Sequence, residues 1–234
     1  MKTLAISARC RLHALAQALH RRGARLQAKI LEFALQTSAT AAVEFATVLP
    51  VMLVAYIGSI EIGSGVTVDH KLGNLSLTLA NVTAETNKPL LDTDVNAIFN
   101  AAAAVLAPYD YTQAGMVLSS IVFDSSNPPN AYVVWSNAQG PNVTALHPDC
   151  KTNLSTTLVP NNVRTANGSL ILGQAYFPYT PVMGYVVTGT IHLSDNNFMA
   201  PRYYISVPRT NSSGTTVTTC VNGTLSALDF PALG

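Results

Sequence analysis

Apolar and polar positions change their rhythm several times along this chain, and each rhythm predicts a different element. Residues 45–60, FATVLPVMLVAYIGSI, carry no charge and form the one run apolar enough to cross a membrane. Extended as a helix over 40–65, the run gives about 26 residues and roughly 39 Å, against about 30 Å of bilayer hydrocarbon. A span of that length leaves Glu44 and Glu61 near the two interfaces. Beyond it, Val68, Leu72, Leu75, Leu79 and Val82 recur at alternating steps of four and three, so the helix continues as a stalk over 66–84. The stripe on that stalk has to be covered, either by the protein's own sheet or by a partner helix. Ahead of the run, Leu12, Leu15, Leu19, Leu26, Ile30 and Phe33 repeat at helical spacing with arginines between them, the pattern of a basic helix at a membrane surface or of a loosely helical leader.

A second helix is predicted over 95–106, with Asp92 or Asp94 as its N-cap, an alanine run at 101–104 and Pro108 as its stop. The signals then turn to strands. Segments 116–123 and 131–135 flank the turn SSNPPN, and 169–177, 186–193 and 203–207 are further candidates. These elements predict an α+β protein: a long N-terminal transmembrane helix followed by a domain with a mainly antiparallel sheet. The expected organisation is a basic cytoplasmic leader at 1–39, a transmembrane helix at 40–65 and an extracytoplasmic α+β domain at 66–234.

Charge adds a direction. The net charge of +1 hides a split, because residues 1–39 hold Lys2, Arg9, Arg11, Arg21, Arg22, Arg25 and Lys29 against Glu32 alone, while the rest of the chain is acidic. Basic residues stay on the cytoplasmic side of a membrane segment, so the anchor is expected to run N-in and C-out. A cleaved secretory signal fits less well: the basic flank is long, no A-x-A-like site follows the run, and Glu61 stands where cleavage would fall. Arg21-Arg22 is not followed directly by an apolar region, as a twin-arginine address would be. Cys10 falls on the cytoplasmic side, whereas Cys150 and Cys220 fall on the translocated side, where they can form a disulfide or remain two thiols. Seven Asn-x-Ser/Thr sequons, mostly a consequence of Asn- and Thr-rich composition, keep a eukaryotic type II glycoprotein in view.

Catalytic chemistry finds little support. His147-Pro148-Asp149 and His192-Leu193-Ser194-Asp195 contain triad residue types, but triads are assembled from distant segments and no G-x-S-x-G accompanies them. The five histidines show no metal-ligand spacing, no phosphate-binding loop joins a strand to a helix, and no basic patch outside the leader suggests nucleic acid. The expectation is a non-enzymatic protein without cofactor or metal. Glu44 is the one chemically loaded residue, since a carboxylate in lipid costs a few kcal/mol and commonly marks a partner or pathway. Ala55, Ser59 and Gly63, at steps of four, form a small-residue stripe on which another helix can approach closely.

The stretch ATAAVEFATVLPVMLVAYIGSIEIG resembles the start of TadE-like proteins, the pseudopilins of bacterial tight-adherence (Flp) pilus assembly. Glu44, Phe45, Pro50 and Ile60-Glu61-Ile62-Gly63 stand in the order of that family's E-F, helix proline and IEFG positions. VVWSNA at 133–138, the segment 175–195 and MAPR at 199–202 are similar to its C-terminal half. The resemblance implies processing between Ala39 and Thr40 by a separate prepilin peptidase, with Ala39 standing where the family has Gly and Lys29 the nearest upstream lysine. It also implies that Glu44 meets the freed N-terminal amine of a neighbouring subunit, a pair that offsets part of the desolvation of both groups. The partners implied are pilin-like subunits, inner-membrane assembly proteins and membrane lipid. From a different class, a bitopic receptor or adhesin-like binding protein with a soluble extracytoplasmic domain fits the same anchor.

Overall fold

The computed structural model describes residue 29 and residues 37–148, 151–181, 189–210, 214–215, 219–221 and 224–226, with only the backbone path given for 37–39, 219–221 and 224–226. Most of the basic leader, the strand candidate's residues 186–188 and the Cys150 half of the expected disulfide lie outside the described residues. Two units are each compact, Met1–Gly58 and Ser59–Gly234.

Helix α1 spans Thr37–Ala84, 48 residues with Pro50 inside it. Pro50 has no N–H to give the carbonyl four residues back, yet the helix carries on through it. In the first unit the described part of α1 shows its apolar side chains outward: Val43, Phe45, Val51, Met52, Val54 and Tyr56 are all exposed. The helix is long and apolar enough to cross a membrane.

In the second unit the rest of α1 packs on a four-stranded sheet. The chain proceeds through β1 (Leu90–Leu91), α2 (Asp92–Ala103) with a 3₁₀ turn at Ala104–Leu106, β2 (Gly115–Phe123), β3 (Ala131–Gln139), β4 (Ser169–Tyr179) and β5 (Ile191–Met199). Strand order is β3-β2-β4-β5, and every neighbouring pair is antiparallel. The period of two divides the sheet's side chains between two cores. Met116, Leu118, Ile171, Ala175, Phe177 and Tyr179 join Val68, Leu72, Leu75 and Leu79 of α1 in the larger core. Ile121, Phe123 and Leu172 face the other way, where Leu146, Leu154, Leu158 and Val163 from the connection between β3 and β4 cover them. That connection is held by Arg164, which is buried and donates to the carbonyls of Val159, Leu154 and Pro129 at 2.9, 2.8 and 3.1 Å. Its charge is thus solvated by backbone dipoles instead of water.

The expected elements shift in four places. The stalk stripe is buried at Val68, Leu72, Leu75 and Leu79 but not at Val82, which is 40% exposed; toward the helix end Ala80, Thr83 and Ala84 take the inner face. The N-cap of α2 is Leu91, not Asp92 or Asp94, because β1 pairs with β6 (Arg209–Thr210) and delivers Leu91 to the helix in extended backbone. Asp94 serves the cap from inside, accepting from the Leu91 N–H at 3.2 Å. The strand expected at 186–193 is β5, Ile191–Met199. Segment 203–207 is not a strand: Ser206 and Val207 are buried through side-chain contacts, and the Val207 carbonyl accepts from Trp135 Nε1 at 2.8 Å. A last hairpin joins β7 (Thr219–Val221) to β8 (Thr224–Ser226), with Cys220 on its first strand.

Two features fix how α1 meets the sheet. Gly173 on β4 lets the strand touch the helix backbone: a Cβ there would overlap the Ser76 carbonyl oxygen and lie 3.1 Å from the Ala80 nitrogen. On β5, Asp195 Oδ2 accepts from Ser76 Oγ and from Asn197 Nδ2, each at 2.7 Å, and Asn197 Nδ2 also donates to Ser76 Oγ at 2.7 Å. A polar group at this helix–sheet seam is tolerated because each member has partners.

Candidate functional site

The residues singled out for function lie on α1. Thr40 and Glu44 are exposed, Phe45 is 62% exposed, and the backbone carbonyl of Glu44 accepts from Thr47 Oγ1 at 2.8 Å. Ala39 lies on the helix path, with its side chain outside the described residues. Ala55, Ser59 and Gly63 are all exposed, and a Cβ added at Gly63 would meet nothing within 4 Å. A shallow groove beside the proline is lined by Pro50, Val51, Val54 and Ala55.

The surface of this stretch explains what it can do. Exposed apolar side chains at 43, 45, 48, 49, 51, 52, 53, 54 and 56 are set about 100° apart per residue and so circle the whole helix. Such a surface is stable in lipid or among other apolar helices, and it selects no single face. The helix is therefore suited to span a membrane.

Glu61, expected from its spacing near an interface, is 5% exposed and lines an apolar cleft of about 270 Å³ with Gly65, Tyr179, Pro181 and Ile191. No periodicity flagged it, because its surroundings come from strand ends more than a hundred residues away.

The triad types are separated by the pleat. His192 and Asp195 differ by an odd number of positions on β5 and point to opposite faces. Asp195 meets Ser76 of α1, while His192 Nδ1 is hydrogen-bonded to the Tyr176 hydroxyl and its ring stacks on Tyr176 with centroids 5.7 Å apart. His147 is exposed, and Asp149 lies outside the described residues. Among the described residues no group of three or more His, Cys, Asp or Glu could hold a metal ion.

One perturbed carboxylate, Asp124, has a structural task. Asp124, at the start of the turn between β2 and β3, accepts from the Ser126 and Asn130 N–H groups at 3.1 and 2.8 Å, from Asn130 Nδ2 at 2.9 Å and from Ser126 Oγ. Burial pushes this carboxyl up, but the hydrogen bonds from Ser126 and Asn130 outweigh it and hold the group well below the usual carboxylate range. Burial, with the charge of Asp124 nearby, raises the Tyr132 phenol. At the end of α1, Arg202 of the MAPR segment donates its backbone N–H to the Ala84 carbonyl at 2.9 Å and pairs with Glu85 at 2.7 Å. The backbone N–H satisfies a terminal carbonyl, and the cation complements the helix dipole.

An α+β unit on the continuation of a helix long and apolar enough to cross a membrane defines the class of this protein. The family model described as TadE-like protein matches residues 39–80, which covers Glu44, Phe45, Pro50 and the Ile60–Gly63 segment. Over that span the resemblance read from the motif holds. The segments at 133–138, 175–195 and 199–202 lie outside the matched residues. No curated protein and no solved structure matches the chain.

Proposed function

We propose that this protein is a pseudopilin or assembly component of a bacterial tight-adherence pilus, held in the inner membrane by α1 with its N-terminus cytoplasmic and its α+β unit periplasmic. It acts by packing helices and catalyses no reaction. The observation that carries this reading is the coincidence of the TadE-like match at 39–80 with a helix apolar on all sides and a carboxylate at Glu44. In this reading a prepilin peptidase cuts between Ala39 and Thr40, and Glu44 pairs with the new amine of a neighbouring pilin-like subunit. Ala55, Ser59 and Gly63 form the seam along which a partner helix approaches, where packing rather than a hydrophobic drive supplies the association. The disulfide between Cys150 and Cys220 belongs to the same reading, since it requires the oxidising side of the membrane.

The test is complementation of a deletion strain with wild type, Glu44→Ala and Ser59→Leu, reading piliation and in-membrane crosslinking together. Both variants should insert normally, and both should lower pilus number, Glu44→Ala by losing a charge pair and Ser59→Leu by blocking approach. N-terminal sequencing of the membrane fraction should find a chain that begins at Thr40. Wild-type piliation and crosslinking by both variants would defeat the helix-mediated role.

A further inference from the structure

The four-stranded sheet has two edges, and the described chain hydrogen-bonds onto one of them and leaves the other open. At β3 both backbone groups of Ala131 are taken: its N–H donates to Asn153 Oδ1 at 2.9 Å, and its carbonyl accepts from the Leu154 N–H at 2.8 Å. A bulge between Ser120 and Ile121 also interrupts the register of β2 with β3. At β5, Ile191–Met199 pair with β4 in unbroken register, and among the described residues no strand pairs with their other side. Edge strands are ordinarily blunted by a proline, a basic side chain or a bulge, and β5 has none of the three.

Beside this open edge runs an apolar flank of α1. Gly73 marks where the helix meets β5, since a Cβ there would lie 3.5 Å from Asp195 Oδ2. At roughly 100° per residue, Ile62, Val66 and Leu77 fall within about 40° of Gly73 around the helix, and they are exposed at 60%, 50% and 41%. Strand edge and helix flank are thus two walls of one groove. It deepens at the start of β5 into the 270 Å³ cleft, where Ile191 and Leu193 share the lining with Ile62 and Val66. The carboxyl groups along it belong to Glu61, Asp69 and Asp195, and no lysine or arginine lines the cleft.

We infer that this groove receives an extended segment of another protein, added as a fifth strand antiparallel to β5. Main-chain hydrogen bonds to the open edge hold such a segment, and the side chains it turns toward α1 select it. Those opposite Ile191 and Leu193 are apolar and enter the cleft. The one opposite Asp195 is a lysine or arginine, whose cation meets Asp69 and Asp195. A second copy of this chain fits worse: pairing two β5 strands along their full length sets Asp195 opposite Asp195 with no lysine or arginine on either strand, and like charges directly opposite are destabilising. The β3 edge of a second copy is already occupied at Ala131. Both walls of the groove belong to the unit Ser59–Gly234, so the inference stands apart from the membrane role of the first unit.

The probe is a labelled, acetylated peptide of alternating Val and Thr, matched to the 9 residues of β5 and carrying Lys at its centre. It is titrated into the detergent-solubilised full-length chain. Anisotropy should show saturable binding, and Glu in place of the central Lys should weaken it at least about tenfold. Asp69→Lys, at an exposed position, should shrink that ratio at least about threefold. N-methylation of alternate peptide residues removes donors from one side of the added strand, so one of the two frames should lose binding at least about tenfold and the other should keep it. Hydrogen exchange in the complex should slow at 191–199 and stay unchanged at 131–139. Absence of saturable binding at about 1 mM peptide, equal affinity of the two N-methylated frames, or unchanged exchange at 191–199 overturns the added strand. Equal affinity for the Lys and Glu peptides overturns the basic occupant, and an unchanged ratio in Asp69→Lys removes the helix flank from the groove. Protection of 191–199 that rises with protein concentration, without peptide, overturns the foreign segment in favour of a second copy.

Discussion

Two stretches of helix α1 share one backbone geometry and obey opposite rules. From 68 to 79 the apolar residues come at steps of four and three, and Val68, Leu72, Leu75 and Leu79 are fully buried against the sheet. From 43 to 56 they come at almost every position, and Val43, Phe45, Val51 and Tyr56 are more than 60% exposed. Periodicity is what a helix shows when its own chain covers one side of it; the loss of periodicity marks a surface whose solvent is not water. The helix thus carries two kinds of hydrophobic information, one read within the protein and one read by its surroundings.

Paired substitutions should separate the two. Leu75→Ala removes a fully buried side chain and should cost about 3 kcal/mol, while Leu53→Ala in the exposed stretch should leave the unit's stability within about 0.5 kcal/mol. Urea unfolding of the detergent-solubilised chain, followed by Trp135 fluorescence, checks both; equal losses would erase the distinction. Next in size is a glycine pair. Gly173→Ala drives a methyl into the α1 backbone and should destabilise by about 2 kcal/mol, whereas Gly63→Ala, with open space around it, should be neutral or stabilising by up to about 1 kcal/mol. The thermal midpoint of each variant measures this contrast, and a benign Gly173→Ala would show that helix and strand can separate cheaply.

The smallest expected effect sits in the domain alone. Asp124 titrates lower in the folded than in the unfolded chain, so its contribution is complete above the unfolded pKa of about 3.9 and is lost as pH falls through that value toward the folded one. Stability measured from pH 7 downward should therefore decline less steeply below about pH 4 in Asp124→Asn than in wild type. Identical acid limbs would assign the acid sensitivity to other carboxylates.

Local signals made part of this fold legible. The four–three stripe led to the buried face of α1, and runs of β-branched and aromatic residues led to β2, β3 and β4. The misreadings occurred where distant partners decide the outcome. Segment 203–207 alternates like a strand, yet its backbone is used by Trp135 and its side chains by the sheet face, so it never joins a ladder. Val82 continues the stripe in sequence, but by that point the buried face has moved to Ala80, Thr83 and Ala84. The Ser76–Asp195 bond joins positions 119 apart, and no local pattern announces it. For the candidate site, the order of Glu44, Phe45 and Pro50 was legible through the family resemblance, whereas the cleft that Glu61 shares with Tyr179 and Pro181 was not.

The notch at Gly173 also has a mechanical meaning. Gly73, Ser76 and Ala80 are the small residues of α1 that meet β4 and β5, while Leu72, Leu75 and Leu79 stand beside them. Sliding the helix along the sheet by one turn, about 5.4 Å, would force side chains of leucine size across a gap that admits only backbone, and would break the Ser76–Asp195–Asn197 group in the same movement. A pull along the helix axis therefore meets a detent, and the α+β unit bears the load in shear, with its close contacts resisting together instead of parting one at a time.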